Sequence, residues 1–445
     1  MPGYIFIREI KDRNMAGKKK KRGRKKIVLF VFEILLLGVL LGVLWLYNTT
    51  FGQVSFDDSD MTNTEAGINE DISEDTLKNM HGYLNVALFG LDNRSNGSYN
   101  EGNSDSIIIA SLNWDTKEIQ LVSLYRDTYL SSGNGKYAKA NAAYASGGAR
   151  RAVSMINSNL DLNIKKYVCV DWKALVDAID GLGGLDLEIT QDELDEINYL
   201  LPEIDGTTGY ETPEVESAGI AHLDGTQATA YARIRSTAGD DFLRASRQRI
   251  VLQAMLDKAQ DVGVASLINM CQEMFKADRD ENGNEIPKIA TNFSQDEIIK
   301  YAPAVIQCEL KSTTGFPFEL TSKMLSSTGD TVIPIDLAQN VSELHEYLFN
   351  EAGYVPSETV QKTSRNIEDK TGVDSSEAAY DLDKFNDTVG SDGTEGVKKK
   401  NELKNPKSTE QDVDSDDGDS DSDDRDSDSD EEQNDREGNG NEEEY

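Results

Sequence analysis

Residues 233–249, RIRSTAGDDFLRASRQR, hold five arginines and two adjacent aspartates with no lysine, in a chain of 445 residues with a formal net charge of -36. Guanidinium groups held close together repel one another unless an anion lies between them, and their forked donors match phosphate oxygens better than an ammonium does. In a helix that begins near Asp241, positions i, i+3 and i+7 share a face. Asp241, Arg244 and Gln248 then point the same way, with Arg247 alongside. Arg233 and Arg235 stand two apart and share one side of an extended segment. The competing account is a set of Arg-Asp pairs on a solvated helix; the apolar YA and FL beside the arginines weigh against it.

Two carboxylates have positions that suit a metal. Asp92 follows the apolar run YLNVALFGL (83–91), and Asp105 precedes SIIIASL (106–112), so a connecting loop returns both to one edge of a sheet. Mg²⁺ keeps several waters and takes one or two protein carboxylates beside an anionic ligand. Arg126 follows a third run, EIQLVSL (118–124), and reaches the same edge. On spacing alone, solvated loop aspartates remain the alternative. DRDENGNEIPKI (278–289) starts like a calcium loop but has Ile289 where a bidentate Glu is needed, so it is read as a polar surface loop. His81, His222 and His345 lack zinc spacing, and none stands beside a G-x-S-x-G serine, which argues against a hydrolytic triad. Cys169, Cys271 and Cys308 have no paired spacing, and Cys169 in YVCV reads as a buried free thiol.

The elements that must position these groups alternate. Three strands, the second and third joined through NWDTK as a hairpin, lead to a helix over 147–160, a strand at YVCVD, a glycine-closed helix at WKALVDAIDGLGG and a strand at LDLEI. A polar insertion is expected near 190–215. A long helix then runs through DFLRASRQRIVLQAMLDKAQ, another opens with the capping-box spacing of Ser294 and Glu297, and SELHEYLF forms the last. This order predicts an α/β fold, a three-layer α-β-α sandwich with a central mixed sheet.

The flanks belong to other classes. Residues 18–26, KKKKRGRKK, precede 21 almost wholly apolar residues at 27–47, the length needed to cross a hydrocarbon core. With no cleavage site after it, this segment predicts one N-terminal transmembrane helix with residues 1–26 cytoplasmic and the rest outside the cell membrane. Residues 48–80 read as an extracytoplasmic stalk, 81–352 as the catalytic domain, and 353–445 as a disordered acidic tail rich in Asp and Ser. In that tail, residues 401–445 alone carry 20 acidic and 4 basic side chains, too much like charge to collapse. An acidic domain without basic patches and interleaved aromatics excludes nucleic acid as a partner.

The succession NVALFGLDNR, NSDSIIIASLN, SLYRDTYL, KANAAYASGG, DGLGGLDLEI and LDGTQATAYARIRSTAGDDFLRASRQR, from about residue 83 to 260, resembles the LytR-CpsA-Psr family of cell-wall glycopolymer transferases. The resemblance implies a long apolar pocket for a polyprenyl chain, an arginine-lined mouth for its pyrophosphate, and bound Mg²⁺. It implies transfer of a glycopolymer, such as teichoic acid or capsular polysaccharide, from undecaprenyl pyrophosphate to peptidoglycan by a phosphotransferase-type ligase. Carried onto this chain, it makes Asp92 and Asp105 the Mg²⁺ ligands and Arg94, Arg126, Arg233, Arg235, Arg244, Arg247 and Gln248 the pyrophosphate contacts. Arg126, Arg233, Arg235 and Asp241 become the catalytic set. Asp241 falls where the family has an aspartate proposed to activate the acceptor hydroxyl, although a carboxylate pinned by arginine is expected to be a weak base. Lys139 and Asn141 match a further family block, and Asn103 stands where the family most often has arginine.

The expected chemistry follows charge: as the sugar C1–O bond to pyrophosphate breaks, arginines and Mg²⁺ stabilise the growing negative charge. The alternatives are a polyprenyl-pyrophosphate hydrolase and a non-catalytic lipid-carrier receptor that regulates cell-envelope genes.

Overall fold

The structure, a computed structural model, describes residues 61–92, 99, 102–235, 240–274 and, with gaps at 275, 280–282, 284, 295–296, 299–300 and 302–304, continues through 382. The predicted cytoplasmic segment, the span at 27–47 and the acidic tail beyond 382 lie outside the described residues, as does Arg94. Among the described residues no helix is long and apolar enough to cross a membrane.

The fold is mixed α/β. A helix α1 (Glu74–Met80) precedes strands β1 (Tyr83–Leu91), β2 (Ser104–Asn113) and β3 (Glu118–Leu124), which pair antiparallel in turn. The expected β2–β3 hairpin is present: Asn113 Oδ1 accepts from the amides of Asp115 and Thr116 at 2.9 and 3.1 Å, an Asx turn that closes it. Two short strands follow, β4 (Tyr129–Gly133) and β5 (Lys136–Lys139), then α2 (Ala142–Leu160) and β6 (Lys166–Val170), which pairs parallel with β1. The helix expected from 147 is broken there instead, because Gly148 takes φ 67°, a conformation a glycine enters without Cβ strain.

Beyond β6 come α3 (Trp172–Gly181), β7 (Leu185–Ile189), α4 (Gln191–Thr208), β8 (Gly219–Leu223), α5 (Gly225–Arg233) and the long α6 (Asp240–Met274), kinked at Gly263. The segment near 190–215, expected as a polar insertion, is mostly the helix α4. Its start is a capping box in which Thr190 Oγ1 accepts from the Glu193 amide at 3.2 Å and Glu193 Oε2 accepts from the Thr190 amide at 3.0 Å. Short strands β9 (Asp278–Arg279) and β10 (Glu285–Ile286) hold the calcium-loop lookalike as a hairpin. They are followed by β11 (Ile289–Thr291), β12 (Glu309–Phe316), β13 (Leu320–Leu325), β14 (Gly329–Pro334), α7 (Leu337–Phe349) and α8 (Glu358–Thr371).

The main sheet has the order β11-β6-β1-β2-β3-β12, with β12 parallel to β3 and β11 antiparallel to β6. Side chains alternate across it. Ala87, Phe89, Ile107, Ile109, Val122, Leu124 and Cys169 enter the largest core cluster, shared with α2, α7 and α8. Leu88, Ile108, Val168 and Val170 face the other way, toward α3, α5 and α6. Burial pushes the Cys169 thiol up to about 12. Gly225 lets α5 start against α3, since a Cβ there would lie 2.3 Å from the Val176 carbonyl oxygen.

The folded body is larger than the expected 81–352. Met61, Ala66 and Ile72, expected in the stalk, and Val360, Ile367 and Val373, expected in the tail, are all buried in the main core. The clamp is Asp161, buried at the end of α2, whose oxygens accept from Asn69 Nδ2 at 2.7 Å, Ser357 Oγ at 2.7 Å, the Ser357 amide at 2.8 Å and Tyr354 Oη at 3.0 Å. The apolar side chains responsible are spread thinly among polar ones, so composition hid them.

Candidate active site

Topology puts the chemistry on one edge of the sheet. β1, β3 and β6 share a direction that β2 opposes, so the ends of those three strands meet the beginning of β2. Asp92 leaves β1 there, Asp105 enters β2, Arg126 follows β3, and Trp172 opens α3 just after β6. Ligands in open α/β sheets gather at such strand ends.

The guanidiniums converge as expected. Arg126 Nε donates to Asp241 Oδ2 and its Nη1 to Asp105 Oδ1, both at 2.8 Å. Arg235 Nη2 donates to Asp105 Oδ2 at 3.0 Å, and Arg244 Nη2 donates to the Asp105 carbonyl oxygen at 3.1 Å. Asp241 Oδ1 has ion-pair contacts to Arg244 Nη2 at 3.2 Å and Arg235 Nε at 3.5 Å, yet no described residue hydrogen-bonds it or the buried Arg244 Nε. Three guanidiniums share these two carboxylates, and Arg244 is only 4% exposed. A buried charge with unused donors is costly unless an anion completes it.

Behind this cluster Lys139 Nζ lies 3.2 Å from Asp127 Oδ1, and Asp127 Oδ2 lies 3.9 Å from Arg126 Nε. The Asn141 amide donates to the Arg126 carbonyl oxygen at 3.0 Å. That family block therefore supports the Arg126 turn. Asn103 is exposed just before β2.

The electrostatics correct one expectation. Burial raises the Asp241 carboxyl above the ordinary aspartate range, and the opposing pull of Arg126 and Arg235 does not cancel it. The arginines therefore do not make it a weak base. For Arg126, burial lowers the pKa but Asp105 and Asp241 outweigh it, leaving the guanidinium above its usual value.

Arg233 sits at the same edge but is held apart from the cluster. Its guanidinium carbon lies 3.5 Å over the Trp172 ring, and its Nη1 donates to Glu203 Oε2 at 3.2 Å. Trp172 and Glu203 were not expected at the site. The position of Trp172 after a strand was a usable signal; Glu203 lay in the segment read as an insertion.

Arg247 is a correction. Expected as a pyrophosphate contact, it is wholly buried, and its Nε donates to Glu193 Oε1 at 2.9 Å, with Glu193 itself 1% exposed. One residue short of Gln248 on the helix, it turns toward α4 and joins that helix to α6.

A cavity of about 530 Å³ opens at the arginines and runs between the sheet and α3, α4, α5 and α6. Asp92, Asp105, Arg233, Arg235, Arg244 and Gln248 line its polar part, whereas Leu88, Val170, Leu175, Leu200, Leu252 and Met255 give the rest an apolar wall. The α6 face bearing Arg244 and Gln248 continues at helical spacing through Val251, Leu252 and Met255, so one helix face supplies both charge and grease. Such a volume is typical of a small-molecule site.

Asp92 and Asp105 line this same mouth. Among the described residues no group of three or more His, Cys, Asp and Glu is placed to hold a metal. Asp92 and Asp105 are the hard carboxylates of this mouth that could hold Mg²⁺, an ion that takes one or two protein carboxylates beside waters and phosphate oxygens. Asp105 would share its oxygens between that cation and the arginines.

A model of the LytR_cpsA_psr family matches residues 50–315. Polyisoprenyl-teichoic acid--peptidoglycan teichoic acid transferase TagU of Enterococcus faecalis is 29% identical over 280 residues, covering 62% of this chain and 82% of that protein. Biofilm regulatory protein A of Streptococcus mutans is 32% identical over 250 residues, 54% of this chain and 58% of that protein. Among solved structures, protein gbs0355 from Streptococcus agalactiae superposes with a TM-score of 0.52 at 24% identity, over 68% of this chain and 98% of that one, a likeness of fold alone.

Proposed function

Because the chain belongs to the LytR_cpsA_psr family, we propose that it is a membrane-anchored, Mg²⁺-dependent transferase that moves a glycopolymer from undecaprenyl pyrophosphate to peptidoglycan outside the cell. The observation that carries this reading is the apolar cavity that opens directly onto Arg235 and Arg244, with Arg126 joined to them through Asp105. A prenyl tail is the ligand that needs grease at one end and a diphosphate clamp at the other. The relative in Enterococcus faecalis is named for polyisoprenyl-teichoic acid and peptidoglycan, which agrees with this pairing.

In the mechanism, Arg126, Arg235 and Arg244 hold the diphosphate, and the apolar wall fixes the tail so that the reacting phosphate stays at the mouth. Asp241 takes the proton of the acceptor hydroxyl. The hydroxyl oxygen bonds to the glycan-bearing phosphorus, the P–O–P bridge breaks, and its electron pair stays on the phosphate of the carrier. Attack at phosphorus, rather than at the sugar C1 expected from the sequence, is favoured because Asp241 is bonded to the very guanidiniums that would hold the diphosphate. The arginines stabilise the charge on the departing oxygen without reorganising. Bound at Asp92 and Asp105, Mg²⁺ would supply further neutralisation of phosphate charge.

The test incubates the detergent-solubilised full chain with a labelled lipid-pyrophosphate oligosaccharide, peptidoglycan oligomers and Mg²⁺. Label on the glycan strand with release of lipid monophosphate supports the proposal. Lipid pyrophosphate as the product moves the cleavage to C1–O. Sugar phosphate without transfer makes the protein a hydrolase, and intact retained lipid makes it a receptor.

A further inference from the structure

A second cavity, of about 100 Å³, opens on the other side of the arginine cluster. Asp105, Ser106, Arg244 and Gln248 line both cavities, whereas Arg126, Asp127 and Asp241 line only the second. One wall of it is the hairpin β13–β14, which contributes Ser322, Asp330 and Thr331; Ser123 and Tyr125 line it from β3 and the turn that follows. Tyr125 packs edge-on against Phe242 at 4.7 Å, and Gly315 leaves room for it, since a Cβ there would overlap the phenol.

The hairpin is tied to the catalytic turn through main chain. The Val332 amide donates to the Asp127 carbonyl oxygen at 3.0 Å, and the Tyr380 amide donates to that of Leu320 at 2.8 Å. Ser322 Oγ donates to Asp330 Oδ1 at 2.7 Å across the two strands. Ser123 Oγ and Asp241 Oδ1 are buried, and no described residue hydrogen-bonds either.

The cavity is much smaller than the first, with room for a hydroxyl-bearing arm of an acceptor whose remainder stays at the rim. Asp127 is met by Lys139 and Arg126 deeper in, whereas Asp330 stands at the rim, where its charge disfavours entry of an acidic group. Resting on the transfer reading above, we propose that this cavity is the acceptor subsite: it admits one uncharged hydroxymethyl arm of a glycan beside Asp241, and Ser322, Asp330 and Thr331 of the hairpin select which acceptor enters. The donor tail occupies the large cavity, and the two substrates meet across Asp105 and Arg244.

Ser322 and Asp330 are exposed at the rim, so substituting them spares the core. The full chain is assayed for transfer with Ser322→Phe, which fills the entrance, and Asp330→Asn, which removes the charge and keeps the shape. The KM for a soluble peptidoglycan disaccharide should rise by about tenfold in Ser322→Phe, with the KM for the lipid donor unchanged. In Asp330→Asn, a carboxylated acceptor should improve relative to a neutral one. An unchanged acceptor KM in Ser322→Phe overturns the subsite and leaves the transfer reading standing. If the natural chain transfers nothing, that reading fails instead, and the subsite is judged by saturation-transfer NMR of the disaccharide with polyprenyl pyrophosphate bound. Binding to the natural chain but not to Ser322→Phe supports it, and equal binding to both overturns it.

Discussion

Arg126 Nε meets Asp241 Oδ2 at 2.8 Å, joining the end of β3 to the first turn of α6 across 115 positions of the chain. The contact brings the proposed phosphate clamp and the proposed proton acceptor into one ionic unit.

Arg126→Ala and Arg235→Ala should each lower transfer by about 10²- to 10³-fold, the usual cost of one charge-stabilising donor. Arg235 is partly exposed, so its loss should leave the melting temperature close to that of the natural chain. Wild-type turnover in both variants would remove the cluster from the mechanism.

Asp241 should set the acidic limb of the pH profile. Only its ionised form accepts a proton, so kcat falls as the pH drops through its pKa. Burial places that pKa above the ordinary aspartate range, and a bound diphosphate raises it further by charge repulsion. Asp241→Asn should abolish this limb along with most of the rate. A limb at the usual aspartate pKa, or one that survives in Asp241→Asn, assigns it to another group.

Arg247 should behave as a structural residue. Arg247→Met leaves Glu193 buried without its partner, a loss of about 3–5 kcal/mol seen as a lower melting temperature. Glu193→Gln with Arg247→Met should recover part of it, because no uncompensated charge remains. Donor KM should be unaffected in whatever fraction is folded.

The C-terminal boundary has a direct test in melting curves. A chain ended at residue 352 loses Val360, Ile367 and Val373 from the core, each worth about 1.5–3 kcal/mol, and should melt well below one ended at 382. Asp161→Ala, which leaves buried donors on Tyr354 and Ser357 without their acceptor, should destabilise the longer chain by roughly 3 kcal/mol.

Removal of divalent cations should stop transfer, with Mg²⁺ restoring it. Asp92→Asn should raise the Mg²⁺ concentration needed for half-maximal rate and leave the arginine contacts of Asp105 in place. Metal-independent transfer by the natural chain would dismiss the cation from the reaction.

Strand runs, the β2–β3 hairpin and the shared face of Asp241, Arg244 and Gln248 were legible in the residues, because period-two and period-3.6 patterns are local properties of the backbone. So was the convergence of the arginine-rich segment and the strand-end carboxylates on one edge of the sheet, though not their pairing with each other. Which guanidinium serves which partner was not legible: Arg244 and Arg247 are three apart with the same chemistry, yet one completes the cavity mouth and the other is buried against Glu193. Packing alone separates them, since Arg244 faces the cavity mouth and Arg247 faces Glu193 in the first turn of α4. The same holds for Asp241, whose burial outweighs its arginine neighbours, and for residues 61–80 and 358–373, whose few apolar side chains count only once a surface exists to receive them. Sequence determines the local periodicities and the inventory of charges; tertiary structure decides how far each charge is removed from water, and that sets its chemistry.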